Sequence, residues 1–199
     1  MVRGFSEKER EMIKQNLIDE GKLLFDQYGL KKTSVSQITN KVGIAQGSFY
    51  LFYSSKEELY FDIVEQEEHA IKELLMEDLL DPAINSEKFT IILIRSLKLI
   101  DENPILRRLF LEKEFEQMVR KLPAEKVEQH IQNDGFLLTP LIEKWQSEGR
   151  VIKQDPHVIG AMFRAFILLA LHKKEIGEEI FDETISLIAE SLANRVFKE

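Results

Sequence analysis

Between residues 46 and 56 the chain carries Gln46, Gly47, Ser48, Tyr50 and Lys56. This is a set of hydroxyls, one amide, one glycine and one ammonium. These groups are well suited to donating hydrogen bonds to phosphate oxygens and base edges. The surrounding composition points the same way. Residues 27–56 contain no Asp or Glu, yet keep Lys31, Lys32, Lys41 and Lys56. A surface that lies on a phosphate lattice is expected to shed carboxylates, because each one repels the partner. The net charge of −8 is unevenly spread: residues 1–56 hold nine Lys/Arg against six Asp/Glu, and residues 57–199 hold eighteen against twenty-nine. The distribution is therefore more informative than the sum.

Catalytic chemistry finds little support. His69, His130, His157 and His172 are scattered without metal-ligand spacing, and Glu65 with His69 reads as an ordinary surface pair on a helix. There is no phosphate-cradling glycine loop and no nucleophile elbow. The chain has no cysteine, which excludes disulfides and thiolate chemistry and suits a reducing compartment. No enzyme activity, metal or cofactor is expected. The N-terminal "MVRGFSEKERE" lacks the apolar stretch of a signal peptide. The longest apolar run, Ala165 to Leu171, is far shorter than the ~20 residues of a membrane span. The expectation is a cytoplasmic protein that does not enter membranes.

The elements that must position the donor set are helical. Ser6 with Glu9, Ser34 with Gln37 and Ser55 with Glu58 each have the three-residue spacing of a capping box. The first helix presents Ile13, Leu17, Leu24, Phe25 and Tyr28 on one side and is expected to end at Gly29. A short second helix carries Val35, Ile38 and Val42 and stops at Gly43. A third fits residues 45–52, and a fourth runs from Lys56 to about Leu80, before the turn "DPAIN" at 81–85. Later stripes extend to Asn103-Pro104, to Leu122-Pro123, and through 124–148, where Gly135 and Pro140 are expected to break or kink the helix. A loop at 147–156, an apolar helix from Pro156 and a closing helix over 178–197 complete an all-α chain of about nine helices. A boundary is expected after residue 56, separating an N-terminal helix-turn-helix domain, 1–56, from a larger helical domain, 57–199. Helix, glycine turn and short helix form the pattern that offers its second helix to the major groove. Phe49 is expected in the domain core and Tyr50 against DNA, with Phe52 or Tyr53 sealing the junction with the fourth helix.

The run "TSVSQITNKVGIAQGSFYLFYSSKEEL", Thr33 through Leu59, resembles the DNA-binding domain of the TetR (tetracycline repressor) family of bacterial transcription regulators. The resemblance implies an all-helical homodimer with an N-terminal reading domain and a C-terminal domain for a small-molecule effector. It implies phosphate contacts from Thr33, Ser34, Tyr50 and Lys56, and contacts to bases and backbone from Gln46, Gly47 and Ser48. The family often has His or Tyr where this chain has Phe52. A phenyl ring cannot hydrogen-bond a phosphate, so that contact is missing or taken over by Tyr53. The function implied is a ligand-responsive regulator, most often a repressor released from a palindromic operator.

In the larger domain, Phe89, Leu93, Leu97, Phe110, Phe115, Phe136, Trp145, Met162 and Phe166 could line an effector pocket, and their type suits an apolar or aromatic ligand. Val158 and Phe163, with Ile180, Thr184, Leu187 and Ser191 of the closing helix, could form an isologous dimer face. The competing reading is a helical small-molecule-binding or interaction protein that keeps the helix-turn-helix only as a packing unit.

Overall fold

The computed structural model describes residues 5–111, 114–170 and 172–198, with side chains at all of these except 111, 117, 131–137 and 170. Eleven helical elements are present among them: α1 Glu7–Lys32, α2 Val35–Val42, α3 Gln46–Phe49, α4 Lys56–Leu79, α5 Ser86–Glu102, α6 Pro104–Leu111, α7 Glu114–Val119, α8 Ala124–Ser147, α9 Pro156–Ala170, α10 Lys173–Ile176 and α11 Phe181–Val196. The one extended feature is an isolated antiparallel bridge between Val151 and Phe197. The chain is all-α, as its periodicities require. No described helix is long and apolar enough to cross a membrane.

The capping boxes form. Ser6 Oγ accepts from the Glu9 N–H, and the Glu9 carboxylate accepts from Ser6 N–H at 2.8 Å. The hydroxyl of Ser6 and its backbone N–H together hold the Glu9 carboxyl below its ordinary pKa. Ser34 and Gln37 repeat the arrangement at α2. At α4 it is shifted by one residue: Ser55 Oγ accepts from Glu58 N–H at 3.1 Å, while the Glu58 carboxylate accepts from Ser54 N–H at 2.7 Å. The first helix does not stop at Gly29. Gly29 takes φ 75, ψ 169, a left-handed backbone that breaks the helical path, and helical geometry then resumes as far as Lys32. Conversely α8 continues through Gly135 and Pro140 as one element. Proline forfeits one backbone bond there, and burial of Leu141, Ile142 and Trp145 in the next turns offsets the loss.

The described residues fall into two compact units, Met1–His69 with Asn103–Ala124, and Ala70–Glu102 with Glu125–Glu199. The boundary expected after residue 56 coincides with the start of α4, whereas the units part farther along that helix. The reason is packing. Leu59, Tyr60, Ile63 and Val64 of α4 are buried; Tyr60 sets its ring 4.9 Å from that of Phe25 in α1. In the same unit Ile105, Leu106 and Leu109 of α6 and Met118 of α7 are also buried. Asn103 caps α6, its Oδ1 accepting from the N–H groups of Ile105 and Leu106 at 3.1 Å. The second unit has its own core, where α5, α8, α9 and α11 contribute Phe89, Trp145, Phe163, Phe166, Ile185 and Ala189.

Candidate nucleic-acid interface

The reading segment is assembled from short-range instructions. Ile38 of α2 and Phe49 of α3 are wholly buried. Gly43 ends α2 in the left-handed conformation, φ 78, and its N–H donates to the Thr39 carbonyl. α3 occupies Gln46–Phe49, shorter than the 45–52 expected. Beyond Phe49 the chain tightens: Phe52 N–H donates to Phe49 O at 2.9 Å and Leu51 N–H to Ser48 O at 3.2 Å, bonds to the third residue back.

The end of α1, the starts of α2 and α4 and residues of α3 and its cap surround an open groove of about 450 Å³. Its lining includes Lys31, Lys32, Ser34, Ser36, Gln46, Tyr50, Ser54 and Ser55. The exposed amines of Lys31 and Lys32 and the first turn of α2, whose leading N–H groups lack intrahelical acceptors, make the groove electropositive. Glu57 is the one acid on its wall.

The eight expected contact residues divide. Ser34, Gln46, Gly47 and Tyr50 are exposed, and Ser48 is half-buried. A Cβ on Gly47 would meet no atom of the protein within 4 Å, so nothing inside the fold demands glycine there. Thr33 is a correction: its side chain is buried, and its hydroxyl donates to the carbonyls of Gly29 at 2.8 Å and Leu24 at 3.2 Å. Tyr53 is a second, at 3% exposure. Its ring lies 5.9 Å from that of Phe49 and beneath the Lys14 ammonium. Burial, helped by the carboxylate of Asp62, pushes its phenol well above the ordinary value. Tyr53 therefore seals the packing of α1 and α4 and does not take over the contact missing at Phe52. Phe52 itself is half-buried, against Phe5 and under the Arg10 guanidinium.

Lys56 lines the groove and is half-exposed, but its ammonium is engaged within the protein. Its ammonium donates to the carbonyls of Leu30 at 2.6 Å, Thr33 at 2.7 Å and Lys31 at 3.3 Å, so all three donors are used within the protein. It ties the start of α4 to the end of α1. Replacing Lys56 by Met is expected to lower the unfolding free energy of the DNA-free protein by about 1.5–3 kcal/mol, the range for hydrogen bonds to a charged group. Urea titration followed by circular dichroism measures this. Unchanged stability with weaker DNA binding would return the side chain to the interface. Lys31, Lys32, Ser36 and Ser54 were not among the expected contacts. The acid-free window was the signal that could have found the two lysines.

Six of the nine expected pocket residues are brought together, as one packed core. Phe89, Leu93, Trp145 and Phe166 are buried, and Leu97 and Met162 pack on the same core. The Phe89 ring lies 4.7 Å from Phe163 and 6.0 Å from Trp145, so these side chains are placed as core and not as the lining of an opening. Phe110 and Phe115 belong to the other unit, with Phe115 44% exposed. The side chain of Phe136 lies outside the described residues. A second groove, about 510 Å³, lined by Ala70, Glu73, Leu74, Glu77, Asp78 and Arg95, contains none of the nine. Of the expected dimer residues, Phe163 is buried in the core and is corrected. Val158, Ile180, Leu187 and Ser191 are exposed, and Thr184 is partly so.

The sequence model of the group described as bacterial regulatory proteins, tetR family, matches residues 17–63. The HTH-type transcriptional regulator AcrR of Shigella flexneri is 31% identical over 72 residues, which cover 36% of this chain and only 34% of that relative. A TetR-family transcriptional regulator from Pectobacterium atrosepticum superposes with a TM-score of 0.69 at 18% identity, over 94% of each chain. SmeT, the repressor of the Stenotrophomonas maltophilia multidrug efflux pump SmeDEF, superposes with a TM-score of 0.64 at 19% identity, over 94% of this chain and 91% of its own. SmeT has also been solved in complex with triclosan. At these identities the structural likeness concerns the fold.

Proposed function

We propose, for a chain that belongs to the tetR family through residues 17–63, that it is a dimeric, sequence-specific DNA-binding transcription regulator, a repressor released from a palindromic operator by a small molecule. The observation that carries this reading is the groove at the head of α2 and α3. It is open, rich in hydroxyl and amine donors, and set in a thirty-residue window without acids. Gln46 and Tyr50 supply side-chain donors in the groove beside the amines of Lys31 and Lys32, while the Ser34 hydroxyl already donates to Gln37 Oε1; Ser48 and Gly47 follow on α3, and Gly47 leaves the backbone open to close approach. Dimerisation is supported by the apolar residues left uncovered on α9 and α11, and it would fix the spacing of two reading heads on successive major-groove faces. An apolar or aromatic effector is supported by the complex of the fold neighbour SmeT with triclosan. Release requires only that the effector prefer a conformation whose heads are wrongly spaced.

The test is fluorescence anisotropy on duplexes from the DNA flanking the chain's own gene. With the exposed Lys31, Lys32 and Lys41 of each protomer neutralising about six phosphates, affinity is expected to fall on the order of a thousandfold between 50 and 200 mM salt. Gln46→Ala and Tyr50→Ala should each weaken operator binding. Binding indifferent to salt and to both substitutions, or negligible at low salt on every candidate duplex, would favour the interaction-protein reading.

A further inference from the structure

Among the described residues one acid, Glu114, has a buried side chain. It opens α7, 84 residues downstream of its nearest partner in α1. Glu114 Oε1 accepts from the backbone N–H of Leu30 at 2.8 Å, and Oε2 accepts from the Tyr60 hydroxyl of α4 at 2.9 Å. Leu30 directly follows the break at Gly29. A Cβ on Gly29 would lie 2.6 Å from Glu114 Oε1 and 3.4 Å from Arg108 Nη1, so the glycine leaves room for the carboxylate as well as permitting the left-handed backbone. The carbonyl of Leu30 is taken by Lys56. Both backbone polar groups of Leu30 are thus gripped, one from α7 and one from α4, and only Lys31, Lys32 and Thr33 separate Leu30 from the Ser34 cap of α2.

A buried carboxylate loses its hydration, and a close-packed apolar group in its place is often at least as stabilising. A gain in stability is therefore a weak reason for Glu114 to be there. Fixing the direction in which the chain leaves α1 is a better one. That direction decides where the first turn of α2, and with it the groove, stands relative to the lysines at the end of α1.

We propose that Glu114 is a positioning residue for DNA reading: it holds the Leu30 N–H and the Tyr60 hydroxyl so that α2 and α3 meet DNA in register, without touching DNA itself. This rests on the DNA-reading function proposed above. The position of α7 thereby enters the geometry of the reading head.

The full-length protein and its Glu114→Ala, Glu114→Gln and Tyr60→Phe variants test it by two readouts. One is anisotropy with the duplex selected by the wild type and with a scrambled duplex of equal length. The other is hydrogen exchange at the Leu30 amide, followed by mass spectrometry. Glu114→Ala is expected to weaken selected-duplex binding about tenfold, as loss of a charge-assisted bond implies, while scrambled-duplex binding changes far less. Leu30 exchange should quicken at least about tenfold. Glu114→Gln keeps an acceptor for Leu30 and should restore binding to within about threefold of wild type. Operator affinity undiminished in Glu114→Ala overturns the proposal. So does equal loss on both duplexes without rescue by Gln, the signature of a purely structural role. Should the Ala variant fail to fold, Tyr60→Phe decides: a several-fold loss on the selected duplex supports the clamp and no loss overturns it. If the wild type selects no duplex, the DNA-reading function fails, and unchanged Leu30 exchange in the variants would separately remove the clamp.

Discussion

Replacing Phe49 by Ala is expected to cost the folded protein about 3–5 kcal/mol, the range for a buried phenyl truncated to a methyl. Tyr50→Ala, at the residue that caps the same short helix, should change the unfolding free energy by no more than about 1 kcal/mol. Phe49 has no exposed surface and touches the rings of both Tyr50 and Tyr53. Tyr50 keeps 56% of its surface in water, with only an edge-on contact to Phe49. The two substitutions therefore separate the two jobs of one aromatic cluster. Phe49→Ala loosens the three-helix head, and any loss of DNA binding follows from that loosening. Tyr50→Ala leaves the head intact and removes a donor from the groove. Urea unfolding by circular dichroism, beside anisotropy on the operator, reads both. Comparable stability losses for the pair would place Tyr50 in the core and withdraw it from the interface.

Leu187→Glu is expected to turn a dimer into a monomer and to lower operator affinity by at least about a hundredfold, the scale on which bivalency acts. Leu187 is 58% exposed, so the glutamate does not disturb the core of its own unit. On α11, Ile180, Thr184, Leu187 and Ser191 recur at helical spacing on one side, while Ile185, Ala189, Ala193 and Val196 are buried on another. On α9, Val158, Ala161, Ala165 and Leu168 form a comparable exposed row. An apolar patch across two packed helices is an expected association surface, and a glutamate from each protomer at a two-fold contact would meet its symmetry mate with like charge. Sedimentation equilibrium gives the mass and anisotropy the affinity. Leu23→Glu in α1, at a site 63% exposed, is the control and should leave the mass of the dimer unchanged. A Leu187→Glu protein that sediments as a dimer would remove α11 from the interface.

The features legible in the sequence are those whose cause lies within about one helical turn. Ser6 with Glu9 and Ser34 with Gln37 satisfy each other's backbone neighbours, so three-residue spacing sufficed to locate the starts of α1 and α2. The placement of Phe49 inside and Tyr50 outside followed from helical periodicity in the same way. The acid-free window needed only a count of charges, and it foretold the character of the groove. Local pattern failed where a side chain could satisfy itself in more than one way. The Thr33 hydroxyl and the Lys56 ammonium are as competent toward phosphate as toward carbonyls. The folded chain presents carbonyls first, because the break at Gly29 frees acceptors at the end of α1 that must be paired.

Tyr53, expected both as a seal against the fourth helix and as a DNA contact, is placed only as the seal, and Phe163 is placed in the core, for a related reason. An amphipathic pattern says that a helix has a covered face, but which neighbours complete the cover depends on elements far away in sequence: Lys14 and Asp62 for Tyr53, Phe89 for Phe163. Glu114 is the extreme case, since nothing within a turn of it indicates that its carboxylate will close on Leu30. The sequence alone determined the all-α class, the capped starts of α1, α2 and α4 and the charge of the proposed reading surface, because backbone satisfaction, periodicity and charge act over a few residues. Tertiary structure decided which polar groups stay available at the proposed interface, because competition for hydrogen-bond partners is settled only when distant segments arrive.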